Sequence, residues 1–195
     1  MIAFHQARFI KSADTFSNCP PDVGTEVAFC GRSNAGKSSA INIITGQKKL
    51  ARVSRTPGRT QLINFFRLTD SSRLVDLPGY GFAKVPDAVK IQWHKHLDTY
   101  LRQRQSLTGL ILLSDIRHPL KEFDLMMIEW NQTCGVPLHI LLTKADKLSK
   151  GAQQATLSKV RQELPDSVSA QVFSATRPIG IETVHGILNS LLEGE

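Results

Sequence analysis

Eight residues constrain the fold more than any others: Gly31-Arg32-Ser33-Asn34-Ala35-Gly36-Lys37-Ser38. They follow Glu26 to Cys30, which reads as a short buried strand, and precede Ser39 to Thr45, which reads as a helix. A strand that turns straight into a helix needs glycines where the backbone curls. The curl points successive N–H groups inward above the helix N-terminus, where partial positive charge collects. A loop of this kind holds phosphate. Lys37 can reach terminal phosphates, Ser38 offers a hydroxyl oxygen to Mg²⁺, and Ser39 adds a further helix-start N–H. From residue frequencies the pattern arises by chance in a chain this long on the order of once in a hundred, and its place between strand and helix lowers that further.

Two later segments read as sensors of a third phosphate. Asp76-Leu77-Pro78-Gly79 ends a strand-like run, which sets a carboxylate near the metal and a flexible backbone N–H near the γ-phosphate. Alone, the pattern is more often an ordinary turn; its position after the phosphate loop raises it above that. Arg55-Thr56-Pro57-Gly58-Arg59-Thr60 is polar and broken by proline and glycine, and Gln61 and Leu62 lead from it into the next strand. Thr60 is preferred over Thr56 as a metal ligand, because Gly58 and Arg59 precede it in a pliable loop while the strand from Leu62 anchors its other side. Ser38, Thr60 and Asp76 are thus the expected metal set, and Lys37 and Thr60 the catalytic pair.

The base is read at Thr143-Lys144-Ala145-Asp146, directly after the apolar run Leu138 to Leu142. A carboxylate accepts two hydrogen bonds side by side, and guanine presents N1–H and its exocyclic amine as adjacent donors; adenine has no such pair. Asp146 therefore selects guanine, and the Lys144 stem can pack on the base plane. Phe173-Ser174-Ala175 supplies backbone N–H groups for the guanine carbonyl. Four of these segments, 31–38, 76–79, 143–146 and 173–175, occur in that chain order and together point to GTP and GDP, with Mg²⁺.

The organisation agrees. Leu110 to Leu113 and Leu138 to Leu142 lack polar alternation, as strands covered on both faces do. Leu62 to Leu68 and Arg73 to Asp76 are separated by too few residues for a parallel crossover, so they form an antiparallel hairpin. Val89, Trp93, Leu97, Tyr100 and Leu101 recur at helical spacing, as do Ile181, Val184, Ile187, Leu188, Leu191 and Leu192. The expected architecture is a three-layer α/β domain, residues 25–195, around a mostly parallel six-stranded sheet with one antiparallel strand. Residues 1–24, set off by Pro20-Pro21, form an N-terminal extension, either an appendage or an edge element.

These motifs resemble those of the Era-like translational GTPases, and Thr56-Pro57-Gly58-Arg59-Thr60-Gln61 with Asp76-Leu77-Pro78-Gly79-Tyr80-Gly81 closely resembles the EngB (YihA/YsxC) family. The resemblance spans nearly the whole chain. It implies a Ras-like fold, a bacterial cytoplasmic location, a part in assembling the large ribosomal subunit, and a link to cell division and septation. The family pattern most often has asparagine where Thr143 stands, which leaves open whether a side chain there makes the usual contact. Many small GTPases orient the attacking water with a glutamine that is here Tyr80, so intrinsic hydrolysis is expected to be slow. In related GTPases without that glutamine, asparagine at the place of Asn34 helps hold K⁺ beside the phosphates; an asparagine bonding its own backbone is the competing reading.

Charge indicates a partner. The net charge is +7, and no acidic residue lies between Glu26 and Asp70, a stretch that holds Arg32, Lys37, Lys48, Lys49, Arg52, Arg55, Arg59 and Arg67. One nucleotide cannot occupy so many cations, so ribosomal RNA docking is expected there, against the alternative that they only solubilise the domain. An RNA-binding module with a mainly structural nucleotide is the alternative function. An ATP-dependent kinase would require an acceptor site, for which the sequence shows no motif, and Asp146 argues against adenine. A monomer is expected, with no membrane span and three reduced, buried cysteines.

Overall fold

The computed structural model describes residues 2–51, 62–79 and 96–193. Its strands are β1 (Arg8–Ala13), β2 (Thr25–Gly31), β3 (Ile63–Arg67), β4 (Ser72–Asp76), β5 (Leu107–Asp115), β6 (Leu138–Thr143) and β7 (Val168–Val172). The helices are α1 (Lys37–Ile44), α2 (described over 96–103), α3 (Glu122–Cys134), α4 (Lys150–Glu163) and α5 (Ile181–Glu193).

One sheet runs in the order β1-β3-β4-β2-β5-β6-β7. It has seven strands rather than the expected six. β3 runs against both neighbours, β1 and β4, and the other pairings are parallel. Alternate residues of one strand enter opposite layers: Val27 and Phe29 of β2 join α1 and α5, while Ala28 and Cys30 join α2, α3 and α4. Both faces are covered, which is why these strands carry no polar alternation.

The seventh strand comes from the segment expected as an extension. β1 pairs along β3, with Phe9 opposite Phe66 and Ser12 opposite Asn64, and Phe4, Ala7 and Ala13 are buried. The segment is therefore an edge element of the sheet and not an appendage. Its junction with β2 is pinned by charge. The Glu26 carboxylate, fully buried, accepts from Arg73 at 2.6 Å, from Arg104 at 2.7 and 2.9 Å, and from the Tyr100 hydroxyl at 2.9 Å. Both arginines also donate to the Pro21 carbonyl. At Gly24, whose φ is 80°, a Cβ would lie 2.0 Å from the Ser71 carbonyl oxygen, so only glycine lets the chain pass the β3–β4 turn.

Of the three cysteines only Cys30 is buried, and burial pushes its thiol up to about 12. Cys19, which follows a short helical turn at Phe16–Asn18, and Cys134, the last residue of α3, are partly exposed.

Candidate nucleotide site

Four loops meet where β2, β4, β6 and β7 end, the edge of an open α/β sheet at which ligands bind. The first is Gly31 to Ser38. At Gly31 a Cβ would stand 2.8 Å from the Leu113 carbonyl oxygen, so the loop leaves β2 in contact with β5. Asn34 and Gly36 adopt left-handed φ values of 65° and 94°. These two reversals curl the chain into the start of α1, whose cap at Gly36 has no side-chain hydrogen bond. The first N–H groups of a helix have no intrahelical acceptor, so those of Lys37, Ser38 and Ser39 face the loop's concavity as anion donors. Ala35 is buried; Ser38 is half-buried, and Arg32 and Ser39 are exposed.

At the end of β4, Asp76 is 5% exposed and its carboxylate contacts the Lys37 ammonium. Leu77 and Pro78 are buried, so only their backbone can face a ligand. Gly79 lies beside the first loop: a Cβ there would be 3.5 Å from the Ser33 Cα. Gly58, Arg59, Thr60 and Gln61 lie outside the described residues, as does Tyr80. Leu62 is described, 37% exposed just ahead of β3.

Thr143 makes the side-chain contact that its departure from the asparagine pattern left open. Its hydroxyl lies 2.8 Å from the Ala35 carbonyl oxygen and 3.2 Å from that of Ser114, tying the base-reading loop to the phosphate loop. Lys144 has a left-handed φ of 60°, and its ammonium is 2.9 Å from the Asp115 carboxylate. The other partner of Asp115 is Arg117, which donates from Nε at 2.9 Å and from its terminal nitrogen at 2.7 Å. Arg117 first, and then Lys144, hold the Asp115 carboxyl well below the usual carboxylate range, against its partial desolvation.

Asp146 is held from behind. Its Oδ1 accepts from the buried Ser174 hydroxyl at 2.6 Å, which lowers its pKa, and Lys147 approaches its Oδ2 at 3.5 Å. Backbone bonds stitch the two loops together: Ala145 N–H donates to the Phe173 carbonyl and Phe173 N–H to that of Leu142. The side chains of Ala145 and Phe173 are buried, so in this pair of loops Asp146, Lys144 and the backbone near Ala175 are the groups that can meet a base.

Sequence reasoning missed Asp115 and Arg117. Nothing local marks them; Asp115 reaches Lys144 only because parallel register sets it opposite Thr143.

Residues 26–144, more than half of the chain, match the family described as 50S ribosome-binding GTPase. The chain belongs to that family. This GTPase is also similar in fold to several solved structures. A probable GTP-binding protein engB is 22% identical with a TM-score of 0.71, the match covering 88% of this chain and 100% of that one. The G domain of the T. maritima FeoB iron transporter is 22% identical, TM-score 0.59, over 86% of this chain and 98% of that one. A single-residue variant of S. thermophilus NFeoB bound to GDP·AlF₄⁻ is 25% identical, TM-score 0.62, over 87% of this chain and 64% of that one. The guanine-nucleotide reading and the α/β GTPase fold stand. Among the described residues no helix is long and apolar enough to cross a membrane.

Proposed function

We propose that this GTPase is a switch in assembly of the large ribosomal subunit, acting as a cytoplasmic monomer and needed for normal division and septation. The observation that carries the switch is the Lys37–Asp76 contact. In the structure the two charges are paired with each other. The β- and γ-oxygens of a bound triphosphate would compete for Lys37, and the Asp76 carboxylate would then be available to the metal site.

The donor set fits Mg²⁺. Ser38 and Asp76 offer hard oxygens, and among the described residues no group of three acidic, His or Cys side chains gathers into a cage, which suits an ion that keeps its waters and relies on phosphate oxygens. Ser38, Asp76 and Thr60 would hold it; when bound, it supplies positive charge across the phosphates being separated. The phosphate-loop N–H groups orient the γ-phosphate, and the loops around Thr60 and Gly79 order on it and relax after hydrolysis. Asp146, held by Ser174, accepts from guanine, and Asp115 keeps the Lys144 stem in place over the base.

Alanine at Thr60 is expected to weaken GTP binding and hydrolysis far more than GDP binding, and alanine at Ser38 to weaken the Mg²⁺-dependent part. Equal losses for both nucleotides at Thr60 would remove it from the switch. A K⁺ held by Asn34 requires faster hydrolysis in K⁺ than in Na⁺; its left-handed φ of 65° already accounts for an asparagine there, so equal rates would leave that backbone role alone.

The ribosomal role is tested by co-sedimentation with large subunits in a non-hydrolysable GTP analogue and in GDP. Binding in the analogue only is expected. Equal binding in both supports instead an RNA-binding module with a structural nucleotide.

A further inference from the structure

Beside Asp76 the sheet carries a second concavity, whose lining, among the described residues, includes none from the phosphate loop or from the segments 143–146 and 173–175. An open cavity of about 1050 Å³ runs from the edge strand β1 across β3 to Asp76, with Arg8 and Phe9 on one wall and Lys48 and Lys49 on the other. Arg8, Lys48 and Lys49 are all exposed, and none forms an ion pair with a described residue. The one carboxylate in the lining, Asp76, is matched by Lys37. The concavity is therefore cationic.

Its walls are tied down by side-chain-to-backbone hydrogen bonds. Asn42, 8% exposed, accepts from the Ala51 N–H at 2.7 Å and donates to the Ala51 carbonyl at 2.9 Å, which pins the loop bearing Lys48 and Lys49. Gln47 donates to the carbonyls of His5 and Ala7 at 3.1 and 2.7 Å, joining that loop to the residues ahead of β1. Cations that only solubilise a surface need no such anchoring. Phe9 is 54% exposed, yet its ring stands edge-on to buried Phe66 with centroids 6.0 Å apart. It is a held aromatic face turned to solvent.

We infer that this groove binds a single-stranded segment of RNA, with phosphates against Arg8, Lys48 and Lys49 and a base stacked on Phe9. The inference rests on the ribosomal reading above and names the surface and the form of RNA. Cations spaced along a groove with an aromatic platform are what a single strand needs, since every base offers a stacking face and every nucleotide a charge. A duplex hides its bases and gains nothing from Phe9. A protein strand adding to β1 would need a regular edge, but the register shifts between Phe9 and Lys11, and such a bulge blunts an edge.

The test uses the full chain, a fluorescent oligouridine of roughly ten nucleotides, purified large subunits, and a series of salt concentrations. The variants are the double Lys48→Gln/Lys49→Gln, Phe9→Ala, and Phe9→Leu, which keeps an apolar cover over Phe66. All should retain the parent's GTP affinity and melting temperature. For the double variant the slope of log K against log salt is expected to fall by about 1.4, since each phosphate of a single strand that is no longer neutralised removes about 0.7. Both Phe9 variants should lose affinity on the order of tenfold with the slope unchanged. Subunit binding should weaken in parallel. Parent-like oligonucleotide binding by all variants would overturn the groove while leaving the ribosomal role intact, provided the parent binds subunits. Loss of subunit binding with oligonucleotide binding retained would mean that a ribosomal protein occupies the groove, which also overturns the inference. A parent that binds neither would remove both readings.

Discussion

Replacing Thr143 with valine removes one hydroxyl from a side chain of nearly the same shape. Thr143 is 3% exposed, and its single proton lies between the carbonyls of Ala35 at 2.8 Å and Ser114 at 3.2 Å. One proton serves one strong acceptor, so the shorter contact, to the phosphate loop, is the one that matters. Ala35 is 5% exposed, and water cannot readily replace the missing donor. A buried carbonyl left without its partner costs about 1–3 kcal/mol. At about 2–4 °C per kcal/mol for a domain of this size, a central loss of about 2 kcal/mol lowers the melting temperature of the nucleotide-free protein by roughly 4–8 °C. If about half of that is consumed in re-ordering the loop on binding, the GDP Kd rises about fivefold. Thermal melting without nucleotide and titration calorimetry with GDP measure the two effects. Thr143→Asn, whose amide can donate to the same carbonyl, should recover most of both. A valine variant that melts and binds GDP like the parent would refute the claim that this hydroxyl couples the two loops.

Asp146→Asn should lose guanine nucleotides by about a hundredfold or more, since two charge-assisted bonds near 1.5 kcal/mol each disappear, and should gain xanthine nucleotides; GTP affinity equal to the parent's would end the base-reading assignment. Glu26→Gln strands two buried guanidinium groups, Arg73 and Arg104, and should destabilise by about 3–5 kcal/mol, read by denaturant titration, while GDP affinity holds because Glu26 lies at the far end of β2 from Gly31. His139, buried between Ser169 and Gln171, has its pKa lowered chiefly by burial. The unfolded chain then takes up the proton first as pH falls below about 6.5, so this residue's contribution is present above that pH and is lost from there down to its lower folded value; His139→Gln should flatten the acid limb of a stability-versus-pH curve, and an unchanged limb would count against the buried neutral imidazole.

Much of the scaffold was legible because its signals are local. The runs that became β2, β5 and β6 are largely apolar, the hairpin of β3 and β4 follows from a short connection, and α5 carries a continuous apolar stripe. β1, α3, α4 and β7 went unread. In α4 only Gln153, Leu157 and Val160 are buried, a narrow and partly polar stripe. In α3 the exposed Leu125 and Met126 blur the period set by Phe123 and Met127. β7 is five residues with Gln171 among its buried positions, and β1 is mostly exposed.

By itself, then, the sequence determined which groups lie together within a few residues: a loop whose glycines allow the curl, a lysine and serine at its end, a carboxylate closing a strand, and an aspartate whose two acceptors suit the paired donors of guanine. Each depends on backbone conformations and side-chain types that neighbours in the chain supply. The tertiary structure alone decided what those groups touch. Thr143 bonds Ala35, Lys37 meets Asp76, Asp115 takes Lys144, and Ser174 braces Asp146, through contacts between residues 28 to 108 positions apart. Parallel strands bring the ends of distant segments to one edge of the sheet, and no local pattern records which carboxylate or hydroxyl arrives there. The same holds for the cationic groove, whose two walls come from the N-terminal segment and the loop after α1 and become one surface only because β1 pairs with β3.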